Sequence, residues 1–284
     1  MTTNAESPHP APGAAVDLVS VRKIYEGRAV LAGASLTVER GETMVILGPS
    51  GTGKSVLLRH INGLTKPDSG QVYVCGRDIV PLSEEELVEV RLRVSMLFQG
   101  GALFDSMTVF DNVAFPMREH TEMTPKEIKD RVAEKLALVG LPGTQKKMPA
   151  ELSGGMRKRV ALARSIALDP EIILFDEPTT GLDPINSEKI NELIDDLNER
   201  IKATFVVVTH DIVSARTIAD RIAFLHGGTF EFVGTFAEAT RSTHPVLSDF
   251  FRSHTMPAGA AAAPSETAPL AVSAARPLAK GEPA

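Results

Sequence analysis

The octapeptide Gly48-Pro49-Ser50-Gly51-Thr52-Gly53-Lys54-Ser55 limits the possible folds more than any other feature of the chain. It follows the apolar, β-branched run Thr43–Leu47 and leads into a helical pattern that begins near Val56. A G-x-x-x-x-G-K-S turn between strand and helix points successive backbone N–H groups inward, where they encircle an anion. The helix behind the turn adds the positive end of its dipole. Lys54 is placed to neutralise terminal phosphates and the Ser55 hydroxyl to ligate Mg²⁺, while Pro49, Ser50, Gly51 and Thr52 form the cradle between the fixed glycines.

The rest of the chain supplies a sheet for that turn. β-Branched apolar runs predict strands at Val16–Tyr25, Gln71–Val74, Val94–Phe98, Ile172–Asp176, Thr204–Val208, Arg221–Leu225 and Thr229–Val233. Helical patterns separate many of them. One opens with a capping box at Thr124-Pro125-Lys126-Glu127, and Ile128, Val132, Leu136 and Val139 share a face. Another follows Pro184, with Ile190, Leu193, Ile194, Leu197 and Ile201 on one stripe. Strands alternating with helices imply an α/β fold with a largely parallel sheet. From Gly100 to about Ala150 the alternation stops and the sequence reads mainly as helix, an insert in the α/β core.

Composition narrows the functional classes. The net charge of −6 supplies no basic field, which argues against a nucleic-acid binder. The single cysteine, Cys75, excludes an intrachain disulfide and is expected to be a buried strand residue. No apolar run reaches the roughly 20 residues of a transmembrane helix, and the N-terminus lacks the pattern of a signal peptide. Residues 1–15 and the Ala/Pro-rich residues 256–284 read as disordered tails, the second being a possible docking segment.

A second acidic element completes a phosphate chemistry. Ile172-Ile173-Leu174-Phe175 is an apolar run ending in Asp176-Glu177. A buried strand that delivers a carboxylate to phosphate-bound Mg²⁺ assigns Asp176 to the metal, and Glu177 is placed as the general base that polarises the attacking water.

Four further segments carry a family resemblance. Leu152-Ser153-Gly154-Gly155-Met156 opens a helix upstream of Asp176; Gln99 ends the run Met96-Leu97-Phe98; Gly181-Leu182-Asp183-Pro184 follows the acidic strand; and Val208-Thr209-His210-Asp211 ends the next one. In order and spacing these resemble the signature, Q-, D- and H-loops of ATP-binding-cassette (ABC) ATPases over residues 16–235. Tyr25 sits where that family stacks an aromatic on adenine. The resemblance implies a P-loop NTPase cassette: a RecA-like core with a β-rich N-terminal part (16–98), a helical subdomain (99–157), the second part of the core (158–235) and a C-terminal helical segment (236–255). It implies ATP and Mg²⁺ as cofactors, with Gln99 touching both metal and water and His210 acting in catalysis. It also implies a head-to-tail pair in which Ser153, Gly154, Gly155 and Asp183 of one copy cover ATP on the P-loop of the other. Ser153 before two glycines is itself an anion-binding helix start, so one chain carries two phosphate surfaces. Met156 stands where most relatives have Gln.

The stretch Met96–Thr121, together with Met156, resembles the ATPases of Mla-type, Mce-associated phospholipid transporters. That resemblance implies a peripheral subunit on the cytoplasmic side of the inner membrane. Its implied partners are a permease dimer, a periplasmic Mce-domain protein and a small STAS-domain protein. Phe104, Met107, Phe110 and Phe115 suit a groove for an apolar permease helix. The alternative is the ATPase of an importer for a polar solute such as an amino acid. A soluble ABC protein is disfavoured, because there is neither a second cassette nor a sustained heptad insert.

Overall fold

The computed structural model describes residues 11–255; the rest of the two expected tails, 1–10 and 256–284, lies outside the described residues. The first sheet is formed by β1 (Ala14–Tyr25), β2 (Arg28–Glu39), β4 (Ser69–Val74) and β5 (Arg77–Asp78), with β3 (Thr43–Leu47) and α1 (Lys54–Ile61) intervening in the chain. Then come α2 (Glu84–Arg93), β6 (Val94–Leu97), α3 (Val109–His120), α4 (Pro125–Leu138), α5 (Gly154–Ser165) and β7 (Ile172–Asp176). The chain continues through α6 (Pro184–Ile201), β8 (Thr204–Thr209), α7 (Ile212–Ile218), β9 (Arg221–His226), β10 (Thr229–Gly234), α8 (Phe236–Arg241) and α9 (Pro245–Thr255).

Two sheets result. Strands in the order β2-β1-β4-β5 form an antiparallel layer, and β10-β9-β3-β8-β7-β6 form a second sheet that is parallel except for the edge strand β10. Along β3, alternate side chains face opposite ways. Val45 and Leu47 join a core with α3, α4 and α5, whereas Met44 and Ile46 join one with the antiparallel layer. The helical insert reaches the main sheet through α5: α3 and α4 pack on α5, α5 packs on β6, and Val113, Met117, Val132 and Leu136 share a core with Phe175 and Phe205.

Local chemistry explains the helices read from sequence. Thr124 accepts from Glu127 N at 3.3 Å, and the Glu127 carboxylate accepts from Thr124 N at 2.7 Å. Asp183 caps α6, whose Ile190, Ile194 and Leu197 are buried.

Besides α2 and β5, which the sequence reading lacks, three features differ from it. β2 was absent from it, because Ala32, Gly33 and Ala34 dilute the apolar alternation that Leu31, Leu36 and Val38 carry. β1 begins at Ala14, inside the expected N-terminal tail. Cys75 is not a buried strand residue: it is half-buried in the turn after β4, at φ 49°, with its thiol 3.6 Å from the Glu171 carboxylate.

Candidate functional site

Parallel register brings the distant motifs together. In β3, β8, β7 and β6, Leu47 pairs with Thr209, Asp176 with Val208, and Leu97 with Phe175, so the four strands end on one edge. The loops leaving those ends carry Gly48–Gly53, His210, Glu177 and Gln99. Open α/β sheets bind ligands at the carboxyl ends of their strands, and this cleft lies there. It measures about 340 Å³ and is lined by Ser50, Gly51, Gly53, Lys54, Ser55, Val56, Gln99, Glu177 and His210, together with Val30 and Thr180.

The loop's shape depends on two glycines. A Cβ on Gly48 would fall 2.3 Å from the Leu225 carbonyl oxygen, so backbone packs where a side chain would be. Gly53 holds φ 98° and caps α1, and a Cβ there would meet Val30 Cγ1 at 2.8 Å. Thr52 Oγ1 donates to the Pro49 carbonyl at 2.9 Å, bracing the turn from inside.

Lys54 is buried beneath the loop. Its Nζ donates to the carbonyls of Gly48 at 2.7 Å and Pro49 at 3.0 Å, and stands 4.0 Å from Glu177 Oε1. Burial pulls its pKa below the ordinary lysine value, against the pull of the Glu177 and Asp176 carboxylates. Ser55 Oγ donates to Asp176 Oδ1 at 2.7 Å, although the two residues are 121 positions apart. With Gln99 lining the same cleft, Ser55, Asp176 and the Gln99 amide oxygen would make an all-oxygen donor set of the kind Mg²⁺ accepts.

Glu177 leaves β7 in a left-handed conformation, φ 49°, with its N–H bonded to the Val208 carbonyl at 3.0 Å. Its carboxylate accepts from Thr180 Oγ1 at 3.3 Å and Thr209 Oγ1 at 3.4 Å, and its oxygens lie 3.1 and 3.0 Å from His210 Nδ1.

The remaining candidates sit elsewhere. Tyr25 is exposed at the end of β1, with Lys23 Nζ 5.4 Å from its ring centroid. Ser153 caps α5, accepting from Met156 N at 3.3 Å. Ser153, Gly155 and Met156 line a separate depression of about 230 Å³ with Asn186, which donates to Asp183. Gly154 faces Leu182 beside it. The P-loop cleft and the Ser153 depression are thus separate hollows with no lining residue in common.

Sequence reasoning missed Lys158, Thr180 and Thr209. Lys158 lies in an Arg-Lys-Arg run that reads as a solvated helix face, yet it is buried and donates to the Gln99 carbonyl. Burial lowers its pKa, and Asp176 and Glu177 oppose that shift.

Among the insert's apolar residues, the Phe104 and Phe115 rings pack at a tilt of 53° with centroids 5.0 Å apart. With Leu92, Phe98 and Arg164 they line an apolar groove of about 670 Å³. Phe110 lies in a different hollow, near Lys129 and Lys146.

A phosphate loop on one strand and an acid two strands away, joined by a single hydroxyl–carboxylate bond, is the construction of a P-loop nucleotide-binding cassette. Residues 31–180 match the family described as ABC transporter, and the chain belongs to that family. It is 49% identical over 205 residues to the intermembrane phospholipid transport system ATP-binding protein MlaF of Escherichia coli K12, covering 72% of this chain and 76% of that protein. It is 46% identical over 238 residues to the probable ribonucleotide transport ATP-binding protein mkl of Mycobacterium tuberculosis H37Rv, covering 84% of this chain. The chain spans 66% of that relative's length, just under two thirds. A dimeric ATP-binding cassette in a post-hydrolysis state, bound to ADP and Pi, superposes with TM-score 0.72 at 37% identity, covering 78% of this chain and 98% of that one. A cassette of the cbiONQ transporter complex of Clostridium perfringens gives 0.75 at 28% identity, covering 81% of this chain and 92% of that one.

Proposed function

We propose that this chain hydrolyses ATP to drive phospholipid transport between inner and outer membranes, working as one of two copies that close on nucleotide. The observation that carries the pairing is the separation of the P-loop cleft from the Ser153 depression on one chain. Each copy's Ser153, Gly154, Gly155 and Asp183 complete the other's site. Two bound nucleotides hold the pair, and hydrolysis releases it.

Within each site, Lys54 and the loop N–H groups hold the phosphates and Tyr25 stacks on adenine. Ser55, Asp176 and Gln99 would hold Mg²⁺, which supplies charge neutralisation of the phosphates when bound. Glu177 accepts the proton of the attacking water, held in place by Thr180 and Thr209, while His210 orients it.

Among the described residues no helix is long and apolar enough to cross a membrane, so the transport step belongs to partners. The groove of Phe98, Phe104 and Phe115 suits an apolar helix of a permease dimer, with this chain peripheral on the cytoplasmic face. A periplasmic Mce-domain protein and a small STAS-domain protein complete the proposed assembly. The phospholipid cargo rests on similarity to MlaF.

The test is purification of the tagged protein from native membranes, with mass spectrometry of co-purifying proteins and lipids. A permease with an Mce-domain protein and phospholipid is the expected outcome. A permease with a periplasmic solute-binding protein would overturn the cargo and leave the ATPase assignment standing.

A further inference from the structure

Helix α5 grips the loop that follows β6. Lys158, Ala161 and Arg164 follow one another at three-residue spacing, which keeps them near one side of the helix. Lys158 Nζ donates to the Gln99 carbonyl. Arg164 uses both arms of its guanidinium, Nη2 to the Gly101 carbonyl at 3.0 Å and Nη1 to the Ala102 carbonyl at 2.9 Å. Between the cations the small Ala161 leaves room for backbone: a Cβ on Gly101 would stand 3.4 Å from Ala161 Cβ.

The gripped backbone is unusual. Gly101 and Ala102 are successive left-handed residues, at φ 75° and 47°. An alanine adopts that conformation only where its surroundings over-determine it. Three carbonyls held by two cations are such surroundings, and they fix the direction in which the loop presents Gln99 to the cleft. On its other side the Arg164 guanidinium lies 5.6 Å from the Phe104 ring, on the wall of the apolar groove.

We propose that Lys158 and Arg164 are positioning residues for hydrolysis, a two-cation clasp that sets Gln99 through its backbone. This rests on the reading of Gln99 as a group acting at the nucleotide. Neither cation lines the cleft, so loss of the clasp slows turnover without weakening ATP binding.

The experiment measures Mg-ATP turnover and, separately, ATP affinity for the full-length chain and its variants Lys158→Met, Lys158→Arg, Gln99→Ala and the Lys158→Met/Gln99→Ala double. Lys158→Met is expected to lower turnover on the order of tenfold to a hundredfold, with affinity within about twofold, since a displacement near 1 Å has that scale of effect. Lys158→Arg restores most of the rate. The double variant is no slower than Gln99→Ala alone, because both changes remove one function. Wild-type turnover in Lys158→Met, parallel loss of affinity, or multiplying effects in the double would overturn the clasp. Wild-type turnover in Gln99→Ala would instead overturn the reading of Gln99, and the clasp with it. If Lys158→Met fails to fold, Arg164→Lys, which keeps the charge but not the two-armed fork, carries the same comparison.

Discussion

His210 Nδ1 lies 3.0 Å from Glu177 Oε2, across the ends of two adjacent parallel strands. The left-handed backbone of Glu177 turns its carboxylate off the line of β7 toward the end of β8. Two threonine hydroxyls donate to the same group. A carboxylate so fixed fits the general base proposed above, and Glu177→Gln removes its proton-accepting capacity while keeping its shape. Turnover is expected to fall by at least about a hundredfold with ATP affinity retained, and the closed pair to accumulate. Steady-state kinetics and light scattering check both; near-normal turnover would end the assignment of Glu177 as base.

Lys54 separates function from stability. Burial lowers its pKa in the fold, so the unfolded chain holds that proton more tightly. Below the folded value the charged lysine costs the nucleotide-free protein stability, and the cost shrinks as pH rises toward the ordinary lysine range. Lys54→Met is therefore expected to melt no lower than wild type at pH 7, while ATP affinity falls about tenfold or more for want of a charged partner. Calorimetry alongside nucleotide binding tests the pair; wild-type affinity would discard the phosphate-loop reading.

Two loop glycines make a controlled comparison. Alanine at Gly51 meets nothing within 4 Å and bears only the penalty of φ 78°, whereas at Gly53 it adds contacts of 2.8 and 3.0 Å with Val30 to a φ of 98°. Each left-handed alanine costs about 1–2 kcal/mol. The Gly53→Ala loss is expected to exceed that of Gly51→Ala, with nucleotide affinity lost in the first alone. Equal losses in denaturant titrations would show that the Val30 contact is irrelevant.

Ser153→Arg introduces a long cation into the depression beside Asn186, away from the P-loop cleft. Single copies should still bind ATP with wild-type affinity and should no longer pair on it. Pairing seen by light scattering would refute the two-copy site.

Glu171 gives a pH test. Hydrogen bonds from Arg93, at 2.6 and 3.0 Å, lead the causes that hold its carboxyl at about 2 rather than the ordinary 4.5. The stabilisation is complete above 4.5 and is lost as pH falls toward 2. Both side chains are more than a third exposed, so screening limits it to less than about 1 kcal/mol. Glu171→Gln should be slightly less stable than wild type at pH 7 and indistinguishable from it near pH 2. A gap that widens with acid would reverse the sign.

The legible parts of this fold were those in which local chemistry and tertiary placement agree. The loop at Gly48–Ser55, the acidic end of β7 and the Thr124 box each combine a residue pattern with a local physical requirement. β2 was illegible because its pairing with β1, from Ala14–Glu39 to Tyr25–Arg28, compensates for weak apolar alternation. The capping box at Ser83 and Glu86 was present in the sequence and overlooked, and with it α2. Lys158 was invisible for another reason. Only tertiary packing buries a charge in the middle of Arg157-Lys158-Arg159, and nothing in the run itself distinguishes that lysine from its solvated neighbours. The separation of the P-loop cleft from the Ser153 depression is likewise a property of three-dimensional placement, although the two helix starts were readable separately.

The alternation along β3 makes the strand a party wall between two rooms. Val45 and Leu47 support one side, Met44 and Ile46 the other, and residues from before and after the insert furnish both. Neither room can be emptied without exposing the far face of the wall, so the insert cannot be melted or excised as an independent unit, and heat should dissolve both cores in one cooperative event. The phosphate loop, hung from the end of that wall, inherits its rigidity from both sides.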